Sequence, residues 1–480
     1  MTNISSLIDI GGSSVKVIVC NSSTDEIYSY EVSNTAQVTP NHIYLDPAVL
    51  FKDILEAMNG CARKLPEGSQ IENIFISSLR QGFCLIRDEQ EISPIYLNSD
   101  TSGYSARKDI DNYGSKKIYE ETGHWFAPQL TLPKVINKMR TSPELFEKST
   151  KLLFVHDWLV WKLSKVILTE MTLVSAGQFA NLATKNVHTD LLEYFEIDSS
   201  LLPNPEKFGA EIGRINNEVL SKLTSHWNES KVYVGGGDSH FLHMGASANK
   251  VGRVVVSAGS STPISLLNST AGTSKFMQPW KSTSFIESGY FLEGNLGYPG
   301  SHYGWLKKNV SKPLASLSVD MKSLSNAPTV FGACNMWNEQ KWELRPAFSF
   351  LGDISQASSS DLALGITLDY AFAIANQVSA IVEDGFIVDQ IVITGGGANP
   401  QIQAILNCLL TQPVEIMSSE VAIRNLFLML SGEELDSLEF ETRAEILDEE
   451  IKEYLKMQSK HHSLLYQQVE GTREVLRNVR

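Results

Sequence analysis

The sequence predicts an α/β chain built as two similar lobes, on three observations. An apolar strand, a turn of glycine and serine and a second apolar strand occur at residues 7–20 (LIDIGGSSVKVIVC) and again at 253–267 (RVVVSAGSSTPISLL). Each half also holds a later strand that runs into a helix, so the pattern reads as an internal repeat. The 480 residues allow two to three domains at roughly 150 residues each, so each lobe can bury its own core without a disulfide or a metal. The boundary is expected near residues 230–250, with working domains 1–240 and 241–480.

The elements follow in order. Residues 71–87 read as another hairpin, with IFISS, a turn at Arg80-Gln81-Gly82 and then FCLIR. Pro133 sits in the first turn of a helix that carries Val135, Ile136 and Met139 at helical spacing, and Ser142-Pro143-Glu144 is expected to cap the next helix. Residues 151–163, KLLFVHDWLVWKL, are apolar on most sides and predict one buried helix. KVYVGGGDSH (231–240) is a strand entering a glycine turn. Residues 360–383 predict one long helix behind a Ser-Ser-Ser-Asp cap, and QIVITGGGANP (390–400) is a buried strand before a triple glycine and a helix. The charged tail, 433–480, is expected to be a solvated helix closing over the second lobe.

Composition narrows the function. A net charge of −15 repels phosphate backbones and anionic lipid, so neither nucleic acid nor membrane is an expected partner. The five cysteines (Cys20, Cys61, Cys84, Cys334, Cys408) are scattered and contain no CxxC pair. That argues against a disulfide framework and a structural zinc site, and suggests a reducing, cytoplasmic setting. MTNISSLIDIGG is not a signal peptide, and no apolar run of about 18 residues predicts a membrane span.

Four glycine-bearing motifs carry the chemistry. In Asp9-Ile10-Gly11-Gly12-Ser13-Ser14-Val15-Lys16, glycines let backbone approach a phosphate, N–H and hydroxyl groups can donate to it, and Lys16 offsets its charge. Asp9 at the strand end can hold Mg²⁺ through water. Gly235-Gly236-Gly237-Asp238-Ser239 delivers one carboxylate, suited to a general base. Ser257-Ala258-Gly259-Ser260-Ser261-Thr262 offers a second set of hydroxyls, and Thr394-Gly395-Gly396-Gly397-Ala398-Asn399 opens a helix after a buried strand, where a nucleotide can lie on backbone. Each also reads as an ordinary turn, and at Asp238 as an Asx turn. Neither a P-loop nor GxGxxG is present.

In this order and spacing the motifs resemble the FGGY carbohydrate kinase family along nearly the whole chain. Within it the chain is most similar to the autoinducer-2 kinase branch, through Arg80, GGGD, HDWL and the stretch Phe331 to Phe348 with Trp342 and Pro346. ISSLRQG (76–82) and NSD (98–100) resemble the family's sugar-contact segments. The resemblance implies an actin-like (ribonuclease-H-like) fold of two lobes with an interlobe cleft, and a kinase using ATP and Mg²⁺. Asp238 would take the proton from the sugar hydroxyl and, with Asp9, hold Mg²⁺. Gly11, Gly12, Ser13, Ser14 and Lys16 would face the phosphates from one lobe, and Gly259, Ser260, Ser261 and Thr262 from the other. Gly395, Gly396, Gly397, Ala398 and Asn399 would seat the adenosine. Arg80, Gln81, Asn98 and Asp100 would contact the sugar. The phosphoryl group would pass in line from ATP, by positioning and electrostatics. The implied partner is a small sugar or polyol, with a homodimer left open as the assembly.

The departures from the family pattern lie in both halves. Asp100-Thr101-Ser102 lacks the arginine of Asp-x-Arg, and Gln81 replaces a carboxylate. Ile402 and Cys408 stand where a Trp and an Asp are usual, and Asn425, beside Arg424, replaces a glycine near the adenine. That altered adenine side supports an alternative: a catalytically weakened, sugar-binding pseudokinase with a regulatory role. A third reading, an actin-like nucleotide switch, is opposed by the sugar-like segments at 76–100. His156 and His240 are expected to be hydrogen-bonded structural groups, and Trp158 and Trp161 core residues; Trp125 fits either the core or the sugar site.

Overall fold

Valine and isoleucine crowd residues 4–21, and their branched β-carbons favour pleated backbone. They form two antiparallel strands, Ile4–Ile10 and Ser14–Asn21, with Asp9 opposite Lys16. Glu26–Ser33 adds a third antiparallel strand. On its other edge Ile4–Ile10 pairs in parallel with Asn73–Ser78, which puts Asp9 beside Ser77. The crossover helix Pro47–Ala62 starts at Asp46, whose carboxylate accepts from the Ala48 and Val49 amides. Its Leu50, Ile54, Met58 and Cys61 pack into one core with Ile8, Ile10 and Val17. The full sheet is seven-stranded and runs Glu211–Arg214, Lys231–Tyr233, Asn73–Ser78, Ile4–Ile10, Ser14–Asn21, Glu26–Ser33, with Gly236–Gly237 also on Asn73–Ser78. This computed structural model describes residues 4–478 except 41, 260, 273–278, 298, 310–318, 333–348, 352, 353, 356, 436 and 442–445.

Three sequence expectations fail in this half. Asn73–Ser78 and Phe83–Arg87 are not a hairpin, because Phe83–Arg87 belongs to a second sheet, between Lys151–Phe154 and Ile95–Tyr96. The connection through Arg80 and Gln81 therefore carries the chain from one sheet to the other. Residues 151–163 are not one helix either. Lys151–Phe154 is a strand antiparallel to Phe83–Arg87, and the helix is Val155–Ser164. Continuous apolarity cannot separate a buried strand from a buried helix. What separates them is Asp157, whose carboxylate accepts the Phe154 amide and starts the helix there. Helices Thr131–Thr141 and Pro143–Lys148 form, but Ser142 makes no side-chain cap bond.

The second sheet system repeats the first. Arg253–Ser257 pairs antiparallel with Pro263–Asn268 and in parallel with Gln390–Thr394, which pairs in parallel with Val414–Met417. Helix Ser359–Glu383 starts at a capping box in which Ser358 and Asp361 bond each other's amides. It is long and apolar enough to cross a membrane, the one such helix among the described residues, and most of it is buried in the protein. The tail helix is Glu449–Asn478, and residues 433–435, 437–441 and 446–448 are not helical. Nor is this helix merely solvated: Ile451 and Leu455 are buried, and His462 Nε2 meets Asp369 Oδ1 at 2.9 Å and the Val330 carbonyl at 3.0 Å. By contacts the chain divides into one unit of residues 1–245, 281–290 and 424–435, and another of 246–280, 291–423 and 436–480.

Candidate active site

The carboxylate of Asp238 opens helix Asp238–Ser247 directly after the Gly236–Gly237 strand. That strand pairs in parallel with Ser77 and Ser78, so Gly236 and Gly237 are sheet rather than a loose turn. None of the three has a positive φ; what requires glycine is space. A methyl group at Gly235 would lie 1.8 Å from the Ile76 carbonyl oxygen. At Gly236 it would lie 2.6 Å from the Phe285 ring, and at Gly237 2.6 Å from Arg80 Cδ. Asp238 itself is 43% exposed, and Oδ1 accepts the Ser239 amide at 2.7 Å while Arg80 Nε lies 3.3 Å away. The carboxylate is thus accessible, oriented by its helix start and balanced by one guanidinium.

Asp9 lies two strands over, on the far side of Asn73–Ser78. Ser77 Oγ donates to its Oδ1 at 2.7 Å. Burial pushes its carboxyl up to about 6, with the Asp238 charge adding to the rise and Ser77 and Lys16 opposing it. Asp9 and the Asp238 carboxylate that acts on it are an oxygen donor pair suited to a hard cation. Among the described residues no group of three or more His, Cys, Asp or Glu forms a metal cluster. Two carboxylates suit Mg²⁺, which keeps several waters and takes phosphate oxygens, better than an ion that needs an all-protein cage.

The first turn is closed at Gly11, whose amide donates to the Ser14 carbonyl at 2.9 Å. Asn34 holds the turn from outside, donating its side-chain amide to the Gly11 carbonyl and its backbone amide to the Ser13 carbonyl. Among the described residues no hydrogen bond takes up the Gly12 or Ser13 amide, which suits the expected phosphate contact.

Of the expected sugar residues, Arg80 and Asn98 come to the site. Arg80 meets Asp238, and the Asn98 side-chain oxygen Oδ1 lies 3.6 Å from where a Gly12 methyl would stand. Gln81 is buried, and its backbone carbonyl accepts from Lys134 Nζ at 2.8 Å and Thr131 Oγ1 at 3.0 Å. The Asp100 carboxylate is buried and committed within the chain: Oδ1 accepts the Ser102 amide, and Oδ2 meets the Ile43 amide and His42 Nδ1. Asp100 therefore shapes the segment that carries Asn98.

In the second unit the triple glycine is fastened to the Ser257–Thr262 turn. Gly397 N–H donates to the Ala258 carbonyl at 2.8 Å, and Ala258 N–H to the Thr394 carbonyl at 2.7 Å. Gly395 has φ +98° and faces the Ala258 carbonyl, and Ala398 N–H bonds back to Gly395. The Asn399 side chain caps helix Pro400–Leu409 by accepting the Ile402 amide. Thr262 is buried; its amide donates to the Gly297 carbonyl, and its carbonyl accepts the Leu296 amide. Gly259 N–H bonds the Ser257 carbonyl, Ser261 is partly buried, and Ser260 lies outside the described residues. Trp342, Pro346 and Cys334 lie outside them as well.

The remaining expectations sort cleanly. Ile402 is core, the Cys408 thiol bonds the Ala404 carbonyl, and Asn425 is buried with its amide donated to the Gly245 carbonyl. His156, His240, Trp158 and Trp161 are buried, and Trp125 is buried too. Sequence reading missed Lys134, Thr172 and Glu170. Lys134 Nζ spans the Gln81 and Leu97 carbonyls, and burial brings its amine down to about 7. Glu170 is buried behind the Gly236 backbone, and burial lifts its carboxyl to about 8. No spacing marks these residues; only the sheet crossing reveals them.

Comparison with known proteins assigns the chain. The FGGY family of carbohydrate kinases, N-terminal domain, matches residues 4–245. The xylulose kinase of Staphylococcus xylosus is 24% identical over 426 residues, covering 85% of this chain and 87% of that protein. The putative sugar kinase YoaC of Bacillus subtilis is 27% identical over 310 residues, covering 63% of this chain and 61% of that protein. Among solved structures, xylulose kinase from Rhodospirillum rubrum aligns at a TM-score of 0.82 with 16% identity, covering 99% of this chain and all of that one. Plasmodium falciparum glycerol kinase with ADP aligns at 0.81 with 17% identity, covering 96% and 98%. These structures carry the actin-like fold of sugar kinases, and this chain shares it. The chain belongs to the FGGY family of carbohydrate kinases and is a phosphotransferase that uses an alcohol group as acceptor.

Proposed function

We propose that this kinase transfers the γ-phosphate of ATP to a hydroxyl of a small sugar, polyol or related polyhydroxy compound, with Asp238 as general base. The observation that carries the reading is the accessible Asp238 carboxylate, fixed at a helix start beside Arg80, with Asp9 on the far side of the shared strand Asn73–Ser78. A general base must lie within reach of the proton it takes, and the Asp238 carboxylate is 43% exposed, with Arg80 Nε 3.3 Å away. Residues 1–240 would bind sugar and phosphate, and 241–480 the nucleotide, through Gly395 to Asn399. Asp9 and Asp238 would hold Mg²⁺, which supplies charge neutralisation at the phosphates. Arg80 and Asn98 would orient the acceptor, and the Gly12 and Ser13 amides would hold phosphate oxygens. Transfer then depends on alignment and exclusion of water rather than on covalent chemistry by the protein.

A coupled ADP-release assay with Mg-ATP tests this against xylulose, rhamnulose, gluconate, glycerol and the autoinducer-2 precursor. Acceptor-dependent release with one of them is the expected result. Sugar binding by calorimetry with no release from any acceptor would overturn it in favour of the sugar-binding pseudokinase.

A further inference from the structure

We propose that His156 and Thr172 are positioning residues: by capping the Gly235 and Gly237 amides they fix the 235–238 segment, and with it the Asp238 carboxylate. The inference rests on the reading of Asp238 as the base. Gly236 and Gly237 pair with Ser77 and Ser78, so one edge of this short strand is already used. From the other edge Gly235 N–H donates to His156 Nε2 at 3.0 Å, and Gly237 N–H donates to Thr172 Oγ1 at 3.4 Å. These amides are two residues apart on extended backbone and so point the same way. A buried amide left without an acceptor carries its full desolvation penalty. Each side chain therefore decides whether the strand can lie where it does.

Both relays run in one direction. Gly235 N–H needs a lone pair on His156 Nε2, so the imidazole proton is on Nδ1, which meets Asp157 Oδ1 at 3.0 Å. Asp157 is itself held by the Phe154 amide at 3.2 Å. Thr172 Oγ1 accepts from Gly237, so its own hydrogen goes to Glu170 Oε2, which also takes the Thr172 amide at 2.8 Å. His156, Asp157, Thr172 and Glu170 are all buried. They stand behind the backbone of the site, while the carboxylate they serve is 43% exposed on its front. Steric contact closes the other directions: Ile76, Phe285 and Arg80 leave no room for a methyl group on any of the three glycines. The base is thus carried on a segment fixed by one strand, two side-chain caps and three close contacts. A displacement of about 1 Å in a reacting group can cost a hundredfold in rate.

The test uses the full-length enzyme and four variants beside Asp238→Asn. His156→Leu and Thr172→Val remove the acceptors at nearly constant volume; His156→Gln and Thr172→Ser retain one. Expected for the first pair is a drop in kcat of about ten- to a hundredfold, with KM for Mg-ATP within about twofold. The second pair should recover most of kcat. Full kcat in folded His156→Leu and Thr172→Val overturns the proposal, as does a failure of both conservative variants to recover. Should His156→Leu not fold, the Thr172 pair decides. Asp238→Asn separates the two layers. If it keeps turnover, the base reading fails; if it loses turnover while the positioning variants keep theirs, only the positioning roles fail.

Discussion

The chain carries two triple glycines that look alike in sequence and do different work. Gly235 to Gly237 lead into and form a short sheet strand, Gly236–Gly237, with no positive φ among them and no room for a β-carbon. Gly395 to Gly397 are a loop with one residue at φ +98°, one fastened to the Ala258 carbonyl and one, Gly396, with nothing within 4 Å of where a methyl would stand. The first run serves close packing beneath a carboxylate. The second serves a turn that presents backbone ahead of a capped helix. Identical letters therefore record a steric demand in one place and a conformational demand in the other.

Substitution breaks that comparison most sharply at Gly235. Gly235→Ala places a methyl 1.8 Å from a sheet carbonyl, and the protein should not reach the native state, read as loss of soluble protein or of cooperative melting. Gly395→Ala comes next. Its positive φ and the Ala258 carbonyl at 2.9 Å should lower stability by about 1–3 kcal/mol, read by denaturant titration, and weaken nucleotide binding by calorimetry.

Asp9 sharpens the contrast through pH. Its carboxyl is raised to about 6 by burial, so the folded state prefers it protonated. Stability is therefore lost as pH rises from about 4 to about 6 and stays lost above. Asp9→Asn should melt higher than wild type at pH 7, with the gap closing below about pH 4. In the wild type, Mg²⁺ affinity should fall about tenfold per unit as pH drops below about 6, and the variant should show no such slope. The smallest effect belongs to Gly396→Ala, which meets open space and should change Tm by no more than about a degree or two. A large loss there would show that the second run is packed like the first.

Much of this was legible in the sequence because it was local. The hairpins at 4–21 and 253–268, the long capped helix at 359–383 and the order of the glycine motifs follow from β-branched runs, Gly-Ser turns and a Ser-x-x-Asp box. Residues 151–163 were not legible, since a buried strand and a buried helix share one apolar signature until Asp157 accepts the Phe154 amide. The apparent hairpin at 71–87 failed because pairing partners are chosen by sheets that meet only in the fold. At the site, Asp9, Arg80, Asn98 and Asp238 were visible as polar residues at strand ends. Asp100 was visible too, but its carboxylate serves the Ser102 and Ile43 amides. Lys134, His156 and Thr172 act on backbone groups remote in sequence, and no spacing encodes a partner 53, 79 or 65 residues away.

The most direct measurement is ADP release by Asp238→Asn against wild type, with Mg-ATP and the accepted sugar, alongside calorimetry for nucleotide. If Asp238 is the base, turnover falls by about a thousandfold with nucleotide affinity retained. Turnover within a factor of about ten of wild type would contradict that role, because a general base of this kind contributes at least about a hundredfold.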